Sequence, residues 1–441
     1  MTKRIAIFSL TSFLVMASLF TAIINTFAAT RIQVVPSITI QHQYDDNIYL
    51  NESEREKSDH ITTITPSIAY NAESKVGNFS LRYAPTFAKY YDYDENDTIR
   101  HSAGLTAGYY FNRNVSFDFS DSFLRSEDVV EETIDGGTTK QRFRENRQTY
   151  YRNNADVSFN FLYSRNNSLS VGFFHQLLEN NDETVDDGVI YGPSVTITHW
   201  FTVKTGTELS YQYERGEFTS DDGSVPENDY DGHDANIRLL YKFTPHTTGW
   251  IGYGYTVRSF DGHTPASTDE DYSIHSASIG FNHTFSRYYT ISLSAGAYRQ
   301  LYDGTSDNLS GLTYGLSLTR QWQRASFTIA GSGGWDEDFL AGNQDRADFS
   351  EYVSGSASFD YRLSKNIGTY ANISYRRDDY QTNIDENTVV GNIGASYAMF
   401  NWLSLSLDYY HITRSSDDPD DEFNDNRVSL SLTASKPIDI Q

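Results

Sequence analysis

Cysteine is absent from the 441 residues, and methionine occurs only three times. Without a thiol, no lipid-modified cysteine can anchor the chain and no disulfide can staple it. Long hydrophobic runs are also missing: after residue 28, no apolar stretch reaches the ~20 residues that a membrane helix needs. Hydropathy alone would describe a soluble protein. That description is unsafe, because a membrane strand shows only about five lipid-facing residues in ten. Positive charge is scarce too, with 34 Lys and Arg against 59 Asp and Glu and a net charge of −25. An acidic balance of that size argues against a nucleic-acid partner. The acids gather in stretches 45–59, 182–187, 221–231, 269–271 and 417–425. These are connections, where charge keeps the chain soluble in the periplasm before insertion. Tryptophan is sparse at 5, but tyrosine reaches 33 and aromatics make up 15%, a content suited to the interfacial girdles of membrane barrels.

The N-terminus carries Lys3 and Arg4, an apolar run over 5–24, and Thr26-Phe27-Ala28 as a small-x-small site. We expect residues 1–28 to be a signal peptide cleaved after Ala28. That leaves 29–441 as a single domain.

One hairpin, 274–299, states the rule for the rest. Ala277, Ile279, Phe281, His283 and Phe285 alternate with Ser276, Ser278, Gly280, Asn282 and Thr284, a period of two that only a strand gives. After a tight turn at Ser286-Arg287 the pattern restarts with Tyr289, Ile291, Leu293, Ala295 and Ala297. The polar face is Ser, Thr, Gly and Asn rather than Lys and Glu, as if it met water in a confined space. The pattern predicts a barrel that is apolar toward lipid and polar toward a lumen.

Twenty such strands follow one another, with nine short connections alternating with ten long ones. The expected fold is all-β: a transmembrane antiparallel up-and-down β-barrel of about 20 strands, with 18 as the alternative count. Short turns then face the periplasm and long acidic loops face outward, in the outer membrane of a Gram-negative cell. No plug domain is evident, so any obstruction must be a folded-in loop. Stretch 126–147 is the best candidate, with Glu127, Asp128, Glu131, Glu132 and Asp135 preceding Lys140, Arg142, Arg144 and Arg147. An exposed loop with internal charge pairing is the alternative.

No Ser, His and carboxylate cluster appears at one strand end, and His199 and His283 fall on lipid-facing positions suited to a girdle. Asp92-x-Asp94-x-Asn96 opens like a calcium loop, but Asp97 and Ala103 stand where Gly and Glu are needed. We therefore expect no catalysis, cofactor or dedicated metal site. The acidic loops are suited to holding divalent cations loosely with lipopolysaccharide phosphates.

Strand parity aims Arg82, Lys204, Arg238, Lys242, Arg258, Arg376 and Arg427 inward, together with Asp118, Asp156, Glu208, Glu214, Asp360 and Asp408. Seven positive against six negative give no strong ion preference. Such a wall suits a hydrated neutral or mixed solute such as a glycan. Alternatively, opposite charges pair across neighbouring strands and fill the lumen.

Pro36, then Tyr44-Asp45-Asp46-Asn47-Ile48-Tyr49, then Asp59, Ile61 and Pro66 resemble a β-barrel porin family found with exopolysaccharide or capsule export systems. Tyr44, Asp45, Asp46 and Asn47 are matching positions without a carried-over role. The resemblance implies a passive conduit for exopolysaccharide. It further implies a polysaccharide substrate, a periplasmic export partner, the barrel assembly machinery, and outer-membrane lipid with lipopolysaccharide around the wall. A general or solute-specific diffusion porin and a structural or adhesive surface barrel are the other readings. The final strand lacks the terminal aromatic residue that insertion machinery reads in many such barrels.

Overall fold

The computed structural model describes residues 31–135, 138–144, 146–182, 185–219, 229–261, 271–303, 308–341, 349–380 and 384–440. The expected signal peptide lies outside them. The chain opens with β1 (Arg31–Asp45), β2 (Asp59–Glu73), β3 (Gly77–Tyr90), β4 (Thr98–Tyr110) and β5 (Val115–Ser126). A separate hairpin follows, β6 (Val130–Asp135) with β7 (Thr138–Phe143). Next come β8 (Tyr150–Ser164), β9 (Asn167–Asn180), β10 (Asp187–Trp200), β11 (Thr205–Thr219), β12 (Tyr230–Thr244), β13 (Thr247–Phe260) and β14 (Tyr272–Ser286). The wall is completed by β15 (Tyr289–Tyr302), β16 (Leu309–Gln321), β17 (Ala325–Glu337), β18 (Phe349–Arg362), β19 (Ile367–Tyr380), β20 (Asp385–Phe400), β21 (Leu403–Ser416) and β22 (Phe423–Ser435).

Each wall strand pairs antiparallel with its successor, β5 pairs with β8 across the hairpin, and β22 pairs with β1. The result is a closed barrel of 20 strands. A single extra strand, β23 (Ile438–Ile440), continues beyond Pro437 along the start of β1. Closure is what hydrocarbon demands, because an open sheet edge would leave unpaired backbone N–H and C=O groups without water.

Alternation sets the two faces. Ile279, Leu312 and Ile393 point outward and are 60%, 71% and 57% exposed in the isolated chain, which is favourable only against lipid. The inner face holds hydroxyl pairs such as Ser37–Ser67 at 2.6 Å, Thr65–Thr86 at 2.9 Å and Ser332–Ser354 at 2.9 Å. Cross-strand pairs of this kind contribute ~0.2–1 kcal/mol each. At the short-turn end, outward rings pack together, with Phe400 stacked on Trp402 and His199 lodged between Tyr163 and Phe201. Six of the nine short turns share one device. Ser74, Asn112, Thr202, Thr244, Ser286 and Ser364 each accept a backbone N–H two residues on, so the side chain substitutes for a turn hydrogen bond. The turn between β14 and β15 is Arg287–Tyr288, one residue later than alternation places it.

The seam between β1 and β22 explains the Tyr44-Asp45-Asp46-Asn47 stretch. Asp46 accepts the backbone N–H of Asn426 at 2.7 Å and its side-chain amide at 2.8 Å, while its own N–H donates to the Asn426 carbonyl at 3.2 Å. Asn47, wholly buried, donates from Nδ2 to the carbonyls of Asn51 and Asn424 at 2.7 and 2.9 Å. Asp45 receives Arg427 at 3.2 Å and the Asn47 N–H at 3.0 Å. Tyr44 faces outward, its ring 5.1 Å from His60. The same clamp holds Leu50 in the left-handed region at φ 55°, a strained conformation for a residue with a Cβ.

Two substitutions test this architecture. Asp46→Ala removes both side-chain contacts to Asn426 at one stroke and is expected to cost about 1–3 kcal/mol, seen as a lower temperature for the heat-modifiable gel shift. Leu293→Arg at mid-strand should cost about 2–4 kcal/mol by the same assay while Ser292→Arg is tolerated, because only the first places charge in lipid.

Candidate conduit and its constriction

The β6–β7 hairpin and its flanks occupy the mouth of the barrel at the long-loop end. Its stem is tied to the wall it springs from. Arg100 grips Glu127 at 2.6 Å, and Arg147 donates to the Tyr90 hydroxyl and the Ile48 carbonyl, both at 2.7 Å. Glu131 meets Arg152 at 2.6 Å. Val129 and Phe143 then enter a buried apolar cluster with Leu50, Val390, Ile412 and Phe423, which belongs to the far side of the seam. The Arg414 guanidinium lies 4.9 Å from the Phe143 ring.

A second segment comes inward from the opposite wall. β17 stands ten places round the ring from β5, and beyond Glu337 the chain turns into the lumen. Phe339 packs 4.5 Å from the Tyr230 ring, Leu340 is buried, and the Leu340 carbonyl accepts Arg152 at 3.0 Å. The two segments meet through charge. Lys140 contacts Asp336 at 2.6 Å and Asp338 at 3.0 Å, and Arg142 contacts Asp338 at 2.7 Å. Arg376 on β19 joins Asp336 at 2.9 Å and Asp378 at 2.7 Å, and Arg258 on β13 joins Glu337, Glu214 and Asp234 at 2.7, 3.2 and 3.2 Å. Ion pairs therefore tie the hairpin to the end of β17 and to β19, and a neighbouring set ties β17 to β13.

Burial drives the Asp338 carboxyl up, but Lys140 and Arg142 outweigh it and hold the group well below the usual carboxylate range. Asp128 behaves alike, with Arg100, Arg147 and Arg427 overcoming its burial. Lys140 is raised, since Asp338 and Asp336 outweigh the desolvation that would lower it. Each charge is expensive to strand without its partner.

The residues aimed inward by parity fall into four groups. Arg258, Glu214 and Arg376 are buried members of these ion-pair sets. Arg427 serves the seam, bound to Asp45 and Asp425. Glu208 pairs with Arg238 at 3.3 Å, Asp408 accepts the Tyr370 hydroxyl, Asp118 accepts the Asn160 amide at 2.9 Å, and Lys242 lies over Trp200. Arg82, Asp156 and Asp360 sit exposed on the inner face and make no ion pair among the described residues. Lys204 is a correction: it stands in the four-residue turn before β11, because Thr202 accepts the N–H groups of both Lys204 and Thr205 and ends the pairing there.

Parity missed Asp336, Glu337 and Asp338, three successive carboxylates closing a strand. Their one signal is the complementary basic run from Lys140 to Arg147. The lumen is not filled. A space of about 340 Å³ lies between Val130 of the hairpin and wall residues Gln43, Tyr370, Asn392, Asp408 and Tyr410. Among the described residues, no group of three or more His, Asp or Glu side chains is arranged to hold a metal ion.

The sequence pattern of the family described as Putative beta-barrel porin 2 matches residues 191–436. No curated protein matches the chain. Among solved structures, the FrpB iron transporter from Neisseria meningitidis (F5-1 variant) is similar over 91% of this chain and 82% of its own, at 9% identity and a TM-score of 0.54. The siderophore receptor PirA from Pseudomonas aeruginosa is similar over 91% and 80%, at 11% identity and a TM-score of 0.52. Pseudomonas aeruginosa OccK2 (OpdF) is similar over 94% and 99%, at 9% identity and a TM-score of 0.43. The first two identify the fold as that of outer-membrane barrels.

Acid offers a test of the latch. Carboxylates whose folded value is depressed contribute stability that is complete above their ordinary value near pH 4 and is lost as pH falls through the folded value. The Asp338 contacts to Lys140 and Arg142 should therefore persist down to about pH 4, and their loss, read as a rise in conductance of the reconstituted barrel, should come only in stronger acid. Deleting 128–146 should raise it at every pH.

Proposed function

The chain belongs to the Putative beta-barrel porin 2 family, and from that membership we propose that it is a passive outer-membrane conduit for an exopolysaccharide, supplied by a periplasmic export partner. The observation that carries this reading is a lane of small side chains on the inner wall. Register aligns Gly280, Ser294, Gly315, Ser332 and Ser354 across β14 to β18. The neighbouring inner row runs Gly252, Ser278, Gly296 and Thr313 across β13 to β16. Barrel strands tilt by about 35–45°, so such rows slope along the axis instead of circling it. The lane ends at Arg376, against the latch.

A hydroxyl-lined lane without charge offers a hydrated glycan many weak, equivalent contacts, which permits movement, whereas fixed charges would hold it. No chemistry is required of the wall, and we read the barrel as non-enzymatic. Export in this reading requires the latch to yield or the chain to pass beside it. A second reading, a solute-specific porin, is favoured by the space of about 340 Å³ beside the hairpin, where tyrosine, asparagine and aspartate converge.

Deleting the gene should lower surface polysaccharide while growth on small nutrients is unchanged, and purified barrels in planar bilayers should show weak ion selectivity. Normal surface polysaccharide together with impaired uptake of one small solute would exclude export and leave the porin. A barrel that stays closed after removal of 128–146 would instead mark a structural role.

A further inference from the structure

Tryptophan in a membrane barrel ordinarily faces the lipid interface. Trp322 and Trp402 do so, both exposed at the short-turn end. Trp200 and Trp250 lie at that same end but on the inner parity. The wall is hollowed beneath each of them. A Cβ on Gly206 would stand 2.8 Å from Trp200, and one on Gly280 would stand 2.5 Å from Trp250, with Gly252 flanking at 3.3 Å. Each indole also carries a cation. The Lys242 ammonium is 3.7 Å from the Trp200 ring centre, and the Arg238 guanidinium is 4.9 Å from that of Trp250. Arg238 shares its charge with Glu208, whereas Lys242 makes no ion pair among the described residues. At the mouth, by contrast, Arg100, Arg142, Arg147, Arg152, Arg258 and Arg376 are paired with carboxylates.

We propose that Trp200, Trp250, Lys242 and Arg238 form a binding platform for an acidic oligosaccharide inside the periplasmic end of the barrel, at the foot of the small-residue lane. This rests on the export reading and names its substrate class: a polysaccharide bearing carboxylates. Register sets the spacing, because Trp200, Gly206, Leu240 and Trp250 occupy one row across β10 to β13. Three strand intervals of ~4.8 Å separate the rings by roughly 14 Å, a span that an oligosaccharide bridges and a monosaccharide does not. Pyranose C–H faces stack on the indoles. Sugar carboxylates draw Lys242 and Arg238 off the rings into ion pairs, which a neutral glycan cannot do. In a chain of net charge −25, such a local positive site gives an acidic polymer a place to dock.

Titration calorimetry on the purified full-length barrel tests the platform, with tetragalacturonate and cellotetraose as acidic and neutral probes. Tetragalacturonate should bind at least tenfold more tightly than cellotetraose. Trp200→Ala and Trp250→Ala should each weaken it tenfold or more, while Trp402→Ala leaves it unchanged. Lys242→Gln with Arg238→Gln should bring the acid down to the affinity of the neutral probe. Unaltered heat-modifiable mobility verifies that each variant is folded, and Lys242→Gln, at a half-buried position on the inner wall, keeps the test available should a tryptophan variant fail to fold. Equal affinity for the two probes, no binding of the acid, or wild-type affinity in the double tryptophan variant would overturn the proposal. The export reading fails separately: normal surface polysaccharide in a deletion strain, with binding intact, would remove export and leave the site.

Discussion

Every backbone N–H and C=O in hydrocarbon must find a partner within the protein, and the remaining features follow from the ring that satisfies this demand. A strand with one wet and one lipid face must alternate, so the inner wall becomes Ser, Thr and Gly while Ile, Leu, Phe and Tyr are sent outward. The ring has one place where its first and last strands must meet. There the chain concentrates side-chain hydrogen bonds, from Asp45, Asp46 and Asn47 to residues 424–427.

Barrel width sets the second problem. Twenty strands enclose more space than wall side chains alone can fill, and the mouth is crossed instead by two segments that could not stay there singly. The hairpin brings lysine and arginine, and the end of β17 brings aspartate and glutamate. Either set buried alone would carry a desolvation cost of several kcal/mol per ion. Complementarity makes their position conditional on each other.

The strands were legible because period-two alternation is local, and so were the nine short turns, most of them marked by Ser, Thr or Asn. The inward parity of Arg258 and Arg376 was legible for the same reason. Their partners were not. Arg258 meets Glu337 and Lys140 meets Asp336 across the lumen, and periodicity holds no information about which strand faces which across a ring. Lys204 was misplaced by a single residue of turn geometry. The role of Tyr44-Asp45-Asp46-Asn47 stayed hidden because its partners lie at the other end of the chain. Trp200 and Trp250 carried a parity signal that aromatic content alone obscured.

The Asp46–Asn426 contact joins residues 380 apart in sequence. Loop closure over such a separation is entropically demanding and contributes to slow folding. A chain that stalls or is cut short of residue 426 can build the wall as far as β21, yet it has nothing to offer Asp46. The seam is therefore sealed only once the last strand has arrived, and an unfinished barrel keeps a free edge.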